Sequence, residues 1–553
     1  MIKDIYKEYC TETFDSNGIL QGFDLQCPKD FNFAYDIVDR IAKEEPDRRA
    51  MMWCDVDGNE REFTFEQMSK LSNQAANYFL SCGIQHGDCV MLILKRHYEY
   101  WYALLGLHKI GAIGIPATHL LTVKDIVYRV HAAGIKAVVA TNQDGVPQRV
   151  LEAKKQCSQL QRIFVVRQSV ENCDNFSDGV AYSSDKLSRI PVASHDPMLT
   201  YFTSGTTGYP KMVVHDFTYP LAHIITAKYW QNIDPDGLHL TVSETGWAKA
   251  AWGKIYGQWI LGGGIMVYDF DKFIPYDLLH IIEKYRVTSF CAPPTIYRFF
   301  IKEGMGNFDL SSLKYATIAG EALNLEVFKR FKDATGLQLM EAFGQTETTV
   351  VLANLFHSPI KPGSMGKPSP LYEVDLVDEN GNSVAPNEVG EIVIYPKDKK
   401  EQIGIFRGYH NDPALNEFVW RGGCYHMGDT AYRDEDGYFW YVGRVDDIIK
   451  SSGYRIGPFE IESVLMEHPA VLECGITGVP DEIRGQVVKA TIVLTSAYKP
   501  SDELAKDIQD FVKKSTAPYK YPRVIEFVDE LPKTISGKIR RNVLRNEDTG
   551  ELQ

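Results

Sequence analysis

The sequence predicts a mixed α/β protein. A large N-terminal domain of layered α/β sheets, residues 1–445, includes a small β-rich unit and precedes a smaller α+β C-terminal domain, residues 446–553. Three observations carry that prediction. The chain has 553 residues, more than one hydrophobic core organises. Helical periodicity alternates with short apolar runs across 65–140 and again across 276–335, the β-α-β rhythm of a parallel sheet. After about Lys361 short strands separated by Asn-Gly and Asp-Gly turns take over, and beyond Asp446 strands mix with two capped helices.

The first thirty residues, rich in aromatics and acids, are expected to wrap the surface. Residues 65–82 read as an amphipathic helix, 89–94 as a buried strand and 97–110 as a helix with apolar Trp101, Leu104, Leu105 and Leu107. Strand 112–117, helix 123–133 and strand 137–140 continue the alternation. It resumes with helix 276–285, strand 289–292, helix 295–303, strand 315–319 and helix 325–335. Segments 374–377, 391–395 and 437–442 are the short strands of the β-rich unit. Pro458 suits the first turn of a helix that buries Ile461, Val464 and Leu465 and stops before Pro469. Ser501 caps the last predicted helix, with Asp502 and Glu503 at its positive end and Lys513 and Lys514 at its negative end.

Composition narrows the function. With 44% hydrophobic and 24% charged residues the chain is an ordinary globular protein. Its net charge of −14 argues against nucleic acid as a partner, which needs a broad basic face. The start, with early acids and no apolar core segment, is not expected to be a secretory signal. The greasiest stretch, 248–268, is broken by Lys249, Lys254 and Gln258, so no membrane span is expected. The ten cysteines are scattered without a Cys-x-x-Cys pair. They read as reduced thiols of a cytoplasmic protein rather than as a zinc site or disulfide framework.

One stretch stands out, LTYFTSGTTGYPKMVVH, from Leu199 to His215. Between two apolar runs it places a loop of hydroxyls and glycines, Thr203, Ser204, Gly205, Thr206, Thr207, Gly208 and Tyr209, closed by Pro210 and Lys211. Glycine backbone, hydroxyl donors and a lysine charge suit a phosphate, although a flexible surface connection has the same composition. It is not the P-loop, because only two residues separate its glycines, Pro210 precedes the lysine, and a strand-forming Met-Val-Val follows where a helix should open. A strand-loop-strand clamp is the better description.

Three further motifs follow. After strand 338–340, EAFGQTETT offers Glu347 as a hard oxygen ligand for magnesium, Thr346 as a donor to phosphate, and the backbone of Ala342, Phe343 and Gly344 against a flat base. HMGDT, then GRVDD, offers Asp429 for two ribose hydroxyls and Arg444 for the same sugar or a phosphate. Near the end, LPKTISGKIRR sets Lys538 on a Ser-Gly turn, from which a charge can reach a remote site. Each alone also fits an ordinary cap, turn or solvated tail.

Taken together and in order, TSGTTGYPK, GQTET, HMGDT with GRVDD, SSGYRIGP and PKTISGKIRR resemble the adenylate-forming superfamily of acyl-CoA synthetases, adenylation domains and luciferases, over residues 31–544. ETGWAK at 244–249 and APYKYPR at 517–523 are similar to stretches of the medium-chain acyl-CoA synthetases. The resemblance implies an ATP-dependent acid:CoA ligase that forms acyl-AMP, releases pyrophosphate, and passes the acyl group to coenzyme A. It further implies that 203–211 holds the β and γ phosphates, Thr346 the α-phosphate, Glu347 the Mg2+, and Asp429 and Arg444 the ribose. Gly320, Glu321 and Ala322, with Glu341, Ala342, Phe343, Gly344 and Gln345, would line the adenine. Lys538 would bridge the acyl carboxylate and α-phosphate. The C-terminal domain would be mobile about a hinge at Asp446. Lys450, Ser452, Gly453, Tyr454 and Arg455 would then face coenzyme A, with Arg484, Lys513, Tyr521 and Arg523 as candidates for its phosphates.

In acetate-activating relatives a tryptophan occupies the position of Gly344 and stops the acyl tunnel. Glycine there implies a longer pocket, with His223, Trp247, Trp252 and Phe343 as candidate walls and a medium-chain, branched or aromatic acid as substrate. Two other functions share the motifs. An adenylating enzyme could load a carrier protein, but the chain ends soon after Leu544 and free coenzyme A is the expected acceptor. A non-catalytic nucleotide-binding regulator is disfavoured by the joint presence of Lys211, Glu347, Asp429, Arg444 and Lys538. The sequence leaves the identity of the acid and the oligomeric state open.

Overall fold

Local signals set the helices of the computed structural model, which describes residues 2–203, 210–321, 323, 325–397, 402–451, 454–533 and 539–549. Thr64 caps the helix Phe65–Ser81 by accepting from the Gln67 amide while the Gln67 side chain returns to the Thr64 amide. Thr122 and Asp125 close the same box on Val123–Ala133. Gly134 ends that helix at φ 60°, a left-handed conformation that a residue without Cβ adopts freely.

The chain forms two units, Met1–Glu373 with Pro396–Phe418, and Val374–Tyr395 with Val419–Gln553. In the first unit the β-α-β rhythm becomes two sheets. One has seven strands in the order Lys211–Asp216, Pro197–Thr203, Ile113–Pro116, Cys89–Ile93, Ala137–Ala140, Arg162–Val165 and Asp174–Asn175. The other has nine, with Leu339–Phe343, Tyr315–Ile318, Ser289–Ala292, Leu238–Thr241 and Gly264–Asp269 consecutive at its centre. Pairing among those central strands is parallel.

The helix Glu99–Ile110 is buried over its whole length. Gly106 lets it approach Phe65–Ser81 closely, since a Cβ there would lie 2.9 Å from the Cβ of Ala75. The two sheets are tied by buried polar contacts at their carboxyl ends. His97 Nδ1 is 2.8 Å from Asp269 Oδ2 and its Nε2 is 2.7 Å from Thr141 Oγ1.

The N-terminus does more than wrap the surface. Ile2–Glu8 forms a 3-10 helix and Cys10–Phe14 pairs with Leu20–Leu25 as a hairpin. Ile2, Ile5, Tyr6 and Phe23 are buried, because apolar residues recur on one face of each element. The stretch 248–268 breaks into two short helices, Lys249–Gly253 and Tyr256–Ile260, and the strand Gly264–Asp269. Among the described residues no helix is long and apolar enough to cross a membrane. All ten cysteines are free.

The second unit holds a four-stranded sheet of Glu373–Val377, Val389–Tyr395, Tyr425–Arg433 and Phe439–Arg444, and a five-stranded sheet around Val471–Asp481 and Gly485–Leu494. The helices Pro458–Leu465 and Asp502–Ser515 pack Ile461, Leu465, Ile508 and Val512 on the latter. Asp446 lies in the turn Val445–Asp447. Arg541, which opens the last helix, donates to both carboxylate oxygens of Glu462 at 2.7 and 2.6 Å.

Candidate functional site

The strand-loop-strand reading of the Thr/Gly-rich stretch matches the fold. Pro197–Thr203 and Lys211–Asp216 are antiparallel neighbours, with Thr203 opposite Lys211. A hairpin therefore presents the loop ends side by side, and the Tyr128 hydroxyl donates to the Pro210 carbonyl at 3.0 Å. Ser204, Gly205, Thr206, Thr207, Gly208 and Tyr209 lie outside the described residues, as do Ala322, Ser452, Gly453 and Lys538 and the side chain of Arg455.

The hairpin is joined to the Gln-Thr-Glu turn in two places. His215, on the strand that follows Lys211, donates from Nε2 to the Thr346 carbonyl at 2.7 Å. Burial pushes this imidazole down to about 4, so it is neutral and its donor tautomer is set by that carbonyl. A strap at 404–410 makes the second join. It bridges the hairpin strand at Val213 and Tyr409, and the Phe406 amide donates to the Glu347 carbonyl at 2.7 Å. The Tyr409 hydroxyl donates to Glu347 Oε1 at 2.9 Å, while Lys211 Nζ lies 5.3 Å from the centre of the Tyr409 ring. The strap is itself fixed by Arg407, which pairs with buried Asp216.

Gly320 follows the strand Tyr315–Ile318 at φ +104°, a conformation that favours glycine, and the Lys249 ammonium donates to the Ala319 carbonyl at 2.8 Å. Exposed Glu321 accepts from Thr295 Oγ1 at 3.0 Å. Glu341 points inward instead. It is buried, accepts from the Leu323 amide at 3.2 Å, and burial raises its carboxyl to about 8. The Gln345 amide donates to Thr348 Oγ1 at 3.0 Å and holds the turn.

The acyl-wall candidates separate. A Cβ on Gly344 would lie 2.5 Å from Trp252 Cη2, so those two residues touch. His223 stands behind, fully buried, with its ring 6.2 Å from that of Trp252. Phe343 pairs with Leu352 at the end of its strand. Trp247 is half-buried, its amide donating to the Glu244 carbonyl at 3.3 Å.

In the second unit Asp429 and Arg444 are direct cross-strand partners. Arg444 Nη1 donates to Asp429 Oδ2 at 2.9 Å, and the Tyr441 hydroxyl donates to Oδ1 at 3.1 Å. Gly428, at φ +69°, gives the arginine room, since a Cβ would lie 3.1 Å from its Nη2. Lys513, Tyr521 and Arg523 cluster. Lys513 Nζ is 4.2 Å from the Tyr521 ring centre, and Arg523 donates to the Tyr521 hydroxyl at 2.8 Å. Tyr454 stacks on Tyr519 at 4.0 Å. Lys450 faces Glu379 at 3.5 Å, both exposed. The amide of Arg484 caps Asp481 at the tip of a hairpin at 2.8 Å.

Tyr409 and Tyr441 stand outside the motifs, whereas Tyr519 lies within one without an assigned role. Tyr519 alternates with Tyr521 in APYKYPR and carried a signal of its own. Tyr409 lies far in sequence from every motif it contacts.

Among the described residues no group of three or more His, Cys, Asp or Glu could hold a metal ion. A single hard carboxylate, Glu347, remains a fitting donor for magnesium, which is held by one or two carboxylates together with substrate phosphates and water.

The chain is similar to known proteins over most of its length. Residues 38–410 match the AMP-binding enzyme family and residues 460–538 match the AMP-binding enzyme C-terminal domain. The acyl-coenzyme A synthetase ACSM3, mitochondrial, of Mus musculus is 39% identical over 98% of this chain and 96% of its own. The acyl-coenzyme A synthetase ACSM4, mitochondrial, of Homo sapiens is 40% identical over 94% and 91%. Among solved structures, the anthranilate CoA ligase AuaEII in complex with anthranoyl-AMP superposes with a TM-score of 0.86 at 29% identity, covering 95% of this chain and 98% of that one. A benzoate CoA ligase from Burkholderia xenovorans LB400 gives 0.80 at 26%, covering 93% and 100%. By family match, identity and coverage, the chain belongs to the AMP-binding enzyme family and groups with its acyl-coenzyme A synthetases.

Proposed function

We propose that the chain is an AMP-forming acid:CoA ligase for a carboxylic acid longer than acetate. The observation that carries the reading is the double join, through His215 and through Tyr409, between the hairpin strand Lys211–Asp216 and the turn at Thr346 and Glu347. Two motifs far apart in sequence thereby present hydroxyls, an ammonium and a carboxylate together, as a triphosphate with its metal requires.

In this reading the acid's carboxylate attacks the α-phosphorus of ATP and pyrophosphate leaves. Lys211 and the hydroxyls of 203–207 hold the departing phosphates, and Thr346 contacts the α-phosphate. Magnesium held by Glu347 would supply charge neutralisation between the phosphates. Asp429 holds the ribose with Arg444 and Tyr441 beside it, and the backbone of 342–344 with Gly320 lies against the adenine. Lys538 bridges the acid and the α-phosphate. Coenzyme A's thiol then attacks the acyl carbon and AMP leaves. The boundary at 445/446, a hinge at Asp446 and a coenzyme face formed by residues 450–455 with Arg484, Lys513, Tyr521 and Arg523 belong to the same proposal.

Glycine at 344, where acetate-activating relatives carry tryptophan, supports a medium-chain, branched or aromatic acid, with Trp252, which touches Gly344, as the wall that limits its length. The free cysteines suit a reducing compartment. The cytoplasm is the expected one, and fractionation tests it against the mitochondrial location in the relatives' names.

The test is a coupled AMP-release screen over acids of graded chain length and ring content, run with Lys538→Ala beside the wild type. The expected result is carboxylate-dependent pyrophosphate release that the variant loses, while it still converts supplied acyl-AMP and coenzyme A to thioester. ATP binding without acid-dependent pyrophosphate release across the panel overturns the proposal.

A further inference from the structure

We propose that Tyr409 is a positioning residue that fixes the Glu347 carboxylate and the Lys211 ammonium relative to one another, so that a metal and the phosphates it accompanies are met by a preassembled pair. The inference rests on the reading of Glu347 as the metal-binding carboxylate.

Tyr409, like His215, is a side chain that joins the two motifs. Its ring faces the Lys211 ammonium at 5.3 Å and its hydroxyl donates to Glu347 Oε1 at 2.9 Å. One rigid aromatic thus takes the cation on its negative face and the anion on its O–H, each by an interaction chemically suited to it. The hydroxyl fixes the direction of the carboxylate through Oε1.

The residue is held from every side. The Asn416 side chain accepts from its amide at 2.7 Å and donates to its carbonyl at 2.8 Å. Its backbone bridges the hairpin strand at Val213, and its ring packs edge-on against Phe406 at 4.8 Å. Gly408, at φ +121°, permits the approach, since a Cβ there would lie 3.0 Å from Asn416 Oδ1. Tyr409 itself is only 5% exposed. A side chain so constrained loses little entropy when it orients a carboxylate.

The two functions of the ring are separable. Tyr409→Phe removes the hydroxyl and keeps the face, and Tyr409→Leu removes both. Binding is read without turnover, using α,β-methylene-ATP and Mn2+ followed by the EPR signal of free manganese, with metal-free nucleotide affinity by calorimetry in EDTA. Tyr409→Phe is expected to raise the Mn2+ half-saturation about tenfold while metal-free affinity stays within about twofold. Tyr409→Leu is expected to weaken metal-free binding about threefold as well.

An unchanged Mn2+ half-saturation in Tyr409→Phe overturns the proposal. Equal loss of metal-dependent and metal-free binding together with a lower Tm overturns it too, in favour of a purely structural residue. A wild type that binds the nucleotide but draws no Mn2+ to it overturns the assignment of Glu347 and this inference with it. A wild type that does not bind the nucleotide overturns the proposed function itself.

Discussion

The indole of Trp252 fills the space above Gly344, where a Cβ would lie 2.5 Å from its Cη2. Glycine at this position therefore does not leave an open tunnel by itself. The proposed wall belongs to another element, the short helix Lys249–Gly253, and Trp230 braces Trp252 edge-on at 6.2 Å. Trp252→Leu is expected to shift kcat/KM toward longer or ring-bearing acids by about tenfold or more, at the 1–3 kcal/mol per methylene that apolar pockets discriminate. The AMP-release panel reads this directly, and an unchanged acid profile removes Trp252 from the pocket wall.

Asp429 has both carboxylate oxygens engaged, by Arg444 and Tyr441. Asp429→Asn is expected to weaken nucleotide binding about tenfold, with the larger effect on KM for ATP, because a charge-assisted hydrogen bond is worth about 1.5–3 kcal/mol. Tyr441→Phe should cost less, since the hydroxyl orients the carboxylate without replacing it. Calorimetric titration of both variants with ATP checks the order; a Tyr441→Phe defect exceeding that of Asp429→Asn contradicts it.

Stability should depend on pH through two opposing sets of buried groups. Burial raises Glu341 to about 8. The folded state keeps a proton that the unfolded chain releases above its ordinary carboxylate pKa. That contribution is full at low pH and is lost as pH climbs toward 8. Burial lowers His215 to about 4, and His108 and His239 to about 3. The unfolded chain takes up protons there below about 6.5, so stability present above that value is lost on acidification. Each group contributes about 1.4 kcal/mol per pH unit within its window. With His223, which burial also drives well below its ordinary value, four histidines outweigh one glutamate below pH 6, so Tm is expected to fall on acidification and, less steeply, toward pH 8. Glu341→Gln should flatten the alkaline limb in a thermal scan while leaving the acid limb. An alkaline limb unchanged in that variant assigns it to other groups.

Much of this protein was legible before folding. The helices Phe65–Ser81 and Val123–Ala133 were readable from apolar periodicity and Asp502–Ser515 from its Ser501 cap, because both signals act over a few residues. The Thr/Gly stretch could be told from a P-loop because Pro210 and the β-forming Met-Val-Val exclude a helix start. The N-terminus was harder to read. Its burial depends on which surface its apolar face meets, and the local pattern cannot name that surface.

The sequence by itself determined the chemical inventory and its order: hydroxyls and lysine at 203–211, Thr346 and Glu347, Asp429 and Arg444, Lys538. Those residue types are dictated by the charges and hydroxyls they are proposed to meet, and they leave a mark in composition and spacing. Only the tertiary structure decided who holds them. Tyr409 against Glu347, Tyr441 against Asp429 and Trp252 against Gly344 join segments whose neighbourhood is set by sheet order and packing. Tyr409 and Tyr441 read as ordinary core in the sequence, and their role appears only when the chain brings a polar partner to the hydroxyl.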